Sequence, residues 1–104
     1  MLTRSRAALE ARADITEKRM FGGHCFLLSG NMVCGVTGDG MLMVRVGKDA
    51  YEECLAQPHA REMDFTGRPM RGMVFVGAEG CGTDQDLSDW LERGLAFART
   101  LPPK

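Results

Sequence analysis

The chain has 104 residues, 13 Lys plus Arg against 14 Asp plus Glu, and a formal net charge of -1. That length fits one domain able to fold on a single core without disulfides or a metal. Hydrophobic residues at 44% and charged residues at 26% match a globular domain, and the near-neutral balance lacks the basic footprint of a general nucleic-acid binder.

The uncharged stretch 20–37 is broken by Gly, His, Ser and Asn, so it falls short of the roughly 18 consecutive apolar residues of a membrane span. The start Met1-Leu2-Thr3-Arg4-Ser5-Arg6 has no secretory apolar core, so the expected compartment is the cytoplasm. Cys25, Cys34, Cys54 and Cys81 form no CxxC pair and read as free thiols in a reducing compartment.

Residues 3–17 contain no Gly or Pro and are rich in Ala, Arg and Glu, which predicts a helix with a thin apolar stripe. Gly22-Gly23 breaks that pattern. Three strands are predicted next, over 20–28, 32–37 and 41–46. Gly30-Asn31 as a two-residue turn pairs Leu28 with Val33 and Phe26 with Gly35. In the next hairpin, an Asp39-Gly40 turn would set Val36 opposite Met43. A three-residue loop, Gly38-Asp39-Gly40, sets Val36 opposite Leu42 and Cys34 opposite Val44. The second register collects Met32, Cys34, Val36, Leu42, Val44 and Val46 on one face, and a slip by one residue would scatter them, so it is preferred, with Gly40 left-handed. The opposite face then carries His24, Phe26, Leu28, Val33, Met41, Met43 and Arg45. It is too apolar to stand in water.

Asp49 is placed to cap a short helix over 49–55, with Glu52 as reciprocal partner, ended by Pro58. A short strand is expected over 60–65, a turn at 66–69 and a strand at 73–76, followed by a loop over 78–82. Thr83 caps a last helix reaching about residue 101, with Leu87, Trp90, Leu91, Leu95, Ala98 and Leu101 on one stripe. The fold class is α+β: helix, three-stranded antiparallel meander, helix, one or two strands, C-terminal helix, in a single domain over 1–104.

Little in the sequence points to a chemical centre. His24 and Cys25 are adjacent on a strand, so they point to opposite faces and cannot pair directly. His24 and His59 lie 35 residues apart with no spacing that suits a metal, and no cofactor is implied. The Gly-rich stretches match neither dinucleotide nor phosphate-loop patterns. Gly35 is expected beneath the Phe26 ring. Basic residues gather at Lys18-Arg19 and at Arg61, Arg68 and Arg71, whereas 79–92 holds five acids and no base. The eight methionines lie mostly in or beside strands and can make an adaptable contact surface.

Arg19-Met20-Phe21-Gly22-Gly23, Met41-Leu42-Met43-Val44-Arg45-Val46, Gly72-Met73-Val74-Phe75-Val76 and Leu87-Ser88-Asp89-Trp90 resemble the N-terminal domain of the TfoX/Sxy family, over about 12–101. The resemblance implies a secretion-chaperone-like α+β domain. It also implies a link to natural-competence regulation alongside a cyclic-AMP-responsive transcription activator. The family's C-terminal domain has no counterpart in the sequence, so the expectation is a stand-alone interaction or regulatory module. No catalytic residue carries over.

Two functional readings follow. The first is a non-enzymatic protein-interaction module, expected to be a homodimer or to meet a transcription regulator, without membrane or direct nucleic-acid contact. Its partner-binding residues would be Phe26, Leu28, Val33, Met43 and Arg45. The alternative is a small anionic-ligand-binding or enzymatic domain with a pocket lined by Arg45, Arg68 and Arg71.

Overall fold

The computed structural model of the chain describes residues 2–11, 14–20, 22–38, 40–62 and 72–103. The elements run α1 (Leu2–Glu10), β1 (Ile15–Met20), β2 (Gly23–Leu28), β3 (Asn31–Val36), β4 (Leu42–Arg45), α2 (Lys48–Leu55), β5 (Ala60–Glu62), β6 (Met73–Val76), a 3-10 turn (Ala78–Cys81) and α3 (Asp84–Ala98). The six strands form one sheet in the order β1-β2-β3-β4-β6-β5, with every pairing antiparallel. The α+β class and the central meander read from the sequence are both present.

The helix predicted over 3–17 is in fact a helix and an edge strand. Its last residues, 15–17, belong instead to β1, which alternates in side-chain direction and pairs with β2 from Ile15 opposite Leu28 to Met20 opposite Gly23. Helix propensity there is a weak preference, and the sheet overrides it by burying Ile15 against the core. Of the strand predicted over 20–28, Gly23–Leu28 is β2, and Met20 is the last residue of β1.

The first hairpin also departs from expectation. Leu28 pairs with Asn31, so the turn residues are Ser29 and Gly30, both at positive φ (52° and 84°), as a type I′ turn requires. A bulge follows. Phe26 pairs with Cys34 and Leu27 with Met32, which leaves Val33 as the extra residue. The pairs Leu28–Val33 and Phe26–Gly35 do not form. Because of the bulge, Val33 and Cys34 both join the helix-side core.

The second hairpin has the preferred register: Val36 opposite Leu42 and Cys34 opposite Val44. The Gly40 amide donates to the Thr37 carbonyl at 3.0 Å, and Gly40 has φ +86°.

The helices cover one face of the sheet. Leu87, Trp90, Leu91, Leu95 and Ala98 of α3 are buried against Phe26, Val33, Val44 and Val74, with Leu9 of α1 and Tyr51 and Cys54 of α2 closing the sides. The Thr83 hydroxyl accepts from the Asp86 amide at 3.0 Å, the cap expected for α3. Asp49 does not cap α2. The N-cap is Gly47, without a side-chain hydrogen bond, and Asp49 lies in the first turn. After α3 the chain is tied back to the meander, where buried Asn31 donates to the Pro102 carbonyl at 2.8 Å. Of the strand expected over 60–65, Ala60–Glu62 is present as β5; the remainder and the turn at 66–69 lie outside the described residues.

Candidate interaction face

Antiparallel pairing sets directly opposed residues on the same side of a sheet, so the register alone sorts the side chains. One cross-strand row crosses all six strands: Lys18, Cys25, Gly35, Met43, Phe75 and Arg61. Thr16, Leu27 and Met32 form a second row, and Arg45 lies opposite Met73. All of these residues lie on the side away from the helices, although the Arg45 guanidinium reaches round the end of β4 to α3.

This far face holds a second apolar cluster. Cys25, Met43, Met73 and Phe75 are buried within the single chain, and Leu27, Met32 and Met41 pack against them while staying partly exposed. The Met43 methyl lies against Gly35, where a Cβ would come within 2.7 Å of it. Met43, not Phe26, therefore occupies the space over that glycine.

The charges on the face all have one sign. The Arg61 guanidinium lies 5.6 Å from the centroid of the Phe75 ring and donates to Met41 Sδ at 3.0 Å. Lys18 is exposed on β1, at the other edge of the sheet. Arg45 is half-exposed at the end of β4, with its guanidinium 5.3 Å from the Phe97 ring of α3. Among the described strand residues, this face carries no acid.

The sequence-predicted partner set is thus divided. Phe26, Leu28 and Val33 face the helices and belong to the main core, whereas Met43 and Arg45 are on the far face. The bulge at Val33 is the cause: the turn at Ser29-Gly30 moves the register by two residues and keeps every face, whereas the extra residue reverses the parity of β2 against Cys34 and turns Val33 to the helix side. Leu27, Met32, Phe75, Lys18 and Arg61 take the places on the face that the first reading missed. For the anionic-pocket reading, only Arg45 has a described position, and it is stacked on Phe97; Arg68 and Arg71 lie outside the described residues.

Two polar clusters lie elsewhere. Arg6 of α1 donates to Glu17 through Nε (2.7 Å) and Nη2 (2.9 Å), and His24 Nδ1 is 2.7 Å from Glu17 Oε2. The Arg6 bond, aided by His24, holds the Glu17 carboxyl below its usual range. This trio fastens α1 to the β1-β2 edge on the helix side. A cleft of about 310 Å³ between the segment after α2, the 3-10 turn and α3 is lined by His59, Glu79, Asp86, Asp89, Trp90 and Arg93. There Arg93 stacks 4.5 Å from the Trp90 ring, and His59, at φ +67°, sits 3.8 Å from Glu79.

The four thiols are free and buried, and burial pushes each one up from its ordinary range. Among the described residues no three His, Cys, Asp or Glu side chains gather to hold a metal, and no helix is long and apolar enough to cross a membrane.

The family model described as the TfoX N-terminal domain matches residues 7–98. No curated protein matches the chain.

Proposed function

Since the chain belongs to the TfoX N-terminal domain family, we propose that it is a non-enzymatic protein-interaction module with a regulatory role, meeting its partner through the helix-free face of the sheet. One observation carries this reading. The face away from the helices keeps Leu27, Met32 and Met41 partly exposed around a buried Met and Phe cluster. Methionine suits an adaptable contact because its side chain is flexible and polarizable. Protonated, buried thiols argue against a cysteine nucleophile, since the thiolate is the reactive form. The same free thiols suit a reducing compartment such as the cytoplasm. A homodimer is the simplest assembly of such a module, but a two-fold, face-to-face contact would set Lys18, Arg45 and Arg61 near their own copies. Like charges at close quarters oppose that arrangement.

The test is genetic. The gene is deleted in the source cell, and wild type or the double variant Leu27→Glu/Met32→Glu is returned. Both substituted side chains are partly exposed, so the variant should fold, which circular dichroism checks. The transcript profile should return to normal with wild type and stay at the deletion profile with the variant. Full restoration by a folded variant would refute the reading.

A further inference from the structure

We infer that the helix-free face takes an acidic amphipathic segment of a different protein, about 24 Å long, with carboxylates at both ends of an apolar stripe. The inference rests on the interaction-module reading above and names its partner class.

The charge pattern carries it. Lys18 and Arg61 are the two ends of one cross-strand row, on the opposite edge strands β1 and β5. Five strand spacings of about 4.8 Å separate them, roughly 24 Å. A helical segment of about 16 residues spans that distance. The partly exposed apolar side chains of the face are Leu27, Met32 and Met41. Arg45 adds a third cation at the end of β4. No described acid on the face neutralises these cations, although the chain as a whole carries a net charge of -1. Its carboxylates are concentrated elsewhere, at Glu79, Asp84, Asp86, Asp89 and Glu92 in the 3-10 turn and α3, and α3 packs on the opposite face. Between the two edges the residues of the row itself are buried, and the exposed apolar side chains, Leu27, Met32 and Met41, lie beside it; such side chains between cationic edges select an occupant that is apolar in the middle and anionic at its ends. The face also disfavours a second copy of itself.

The probe is a fluorescein-labelled 16-residue helical peptide with Leu at i, i+3, i+4 and i+7 spacing and Glu at the remaining positions. A twin carries Lys in place of Glu. Anisotropy is read on the full chain. The acidic peptide should bind saturably, and its Lys twin at least about tenfold more weakly. Raising the salt from about 50 to 200 mM should weaken binding, because exposed charges are screened. Lys18→Glu/Arg61→Glu should weaken it about tenfold or more, and Lys18→Arg/Arg61→Lys should not. If Arg61→Glu disturbs the fold through its contact with Phe75, Lys18→Glu alone still reads the opposite edge.

Equal binding of the two peptides would overturn the inference. So would an unchanged affinity in the charge-reversed variants, or no saturable binding of the acidic peptide up to about 1 mM, well beyond typical recognition affinities. Sedimentation showing a dimer that Leu27→Glu/Met32→Glu abolishes would give the face to a second copy and overturn it as well. The complementation assay separates the two claims. If the apolar-to-Glu variant fails and the charge-reversed one succeeds, the partner class is wrong and the module reading stands. If both succeed, the module reading itself falls.

Discussion

Gly23→Ala should damage the fold far more than Gly22→Ala, although both alter the same glycine pair. Gly23 opens β2 where it runs beside the end of β3. An added Cβ there would meet the Val36 carbonyl oxygen at 2.1 Å and the Thr37 Cα at 2.9 Å. Both neighbours are backbone, so no rotamer change relieves the clash. The strands must part by about 1 Å to reach ordinary contact. Overpacking of this kind costs about 1–3 kcal/mol. The parting also weakens the adjacent His24–Val36 pairing, and a net hydrogen bond is worth about 0.5–1.5 kcal/mol. The expected loss is therefore about 2–4 kcal/mol, and at about 4–8 °C per kcal/mol for a domain near this size the melting temperature falls by at least about 8 °C. Gly22 has open space around it but φ +74°, so alanine there bears only the left-handed backbone strain of about 1–2 kcal/mol. Gly22→Asn should recover part of that loss, because Asn tolerates the left-handed region. Thermal melts followed by circular dichroism, with urea titration for the free energies, measure all three. A Gly23→Ala protein as stable as wild type, or less affected than Gly22→Ala, would refute the β2-β3 packing described here.

Further predictions concern titration and thiol chemistry. Glu17 is held ionised by Arg6 and His24, so its depressed pKa adds stability above the ordinary glutamate range near about 4.3 that is lost as pH falls through the folded-state value. Glu17→Gln should melt below wild type at pH 7, and the gap should close below about pH 4; a gap independent of pH would contradict the pairing. The buried thiols have the opposite sign. Their pKa values are raised on folding, so stability holds below the unfolded value near about 8.5 and declines as pH rises past it, where unfolded thiols release protons first. An aromatic disulfide reagent should react slowly with native protein and with all four cysteines in denaturant. Rapid native reaction would show that at least one thiol is accessible.

The parts of the fold legible in the sequence were those fixed by one strong local pattern. The stripe Leu87, Trp90, Leu91, Leu95 and Ala98 identifies α3, and Thr83 marks its start with a hydroxyl suited to the cap. The β3-β4 register followed from requiring Cys34, Val36, Leu42 and Val44 to share a buried face, which is a demand of packing rather than of turn chemistry. Where two signals competed, the reading failed. Residues 15–20 have acceptable helix propensity, and only tertiary pairing makes them a strand. At the first hairpin the sequence signals a Gly30-Asn31 turn; the Ser29-Gly30 turn that forms puts a serine at positive φ, which is uncommon and leaves no mark in the sequence. That displacement moves the register by two residues and keeps the faces; the bulge at Val33, which no sequence signal marks, exchanges the faces of β2. The idea of a second apolar face was sound, and Met43 and Arg45 lie on it. Phe26, Leu28 and Val33 do not, because a period-2 pattern does not survive the one-residue bulge at Val33.

The helix-free face is where we propose that the molecule meets another protein. A photo-reactive benzoylphenylalanine at Met32, compared in the source cell with the same group at exposed Glu53 of α2, tests that contact directly. Illumination should give one discrete heavier band from position 32, of a size other than twice the chain, and none from position 53. No band at position 32, or the same bands from both positions, would contradict it.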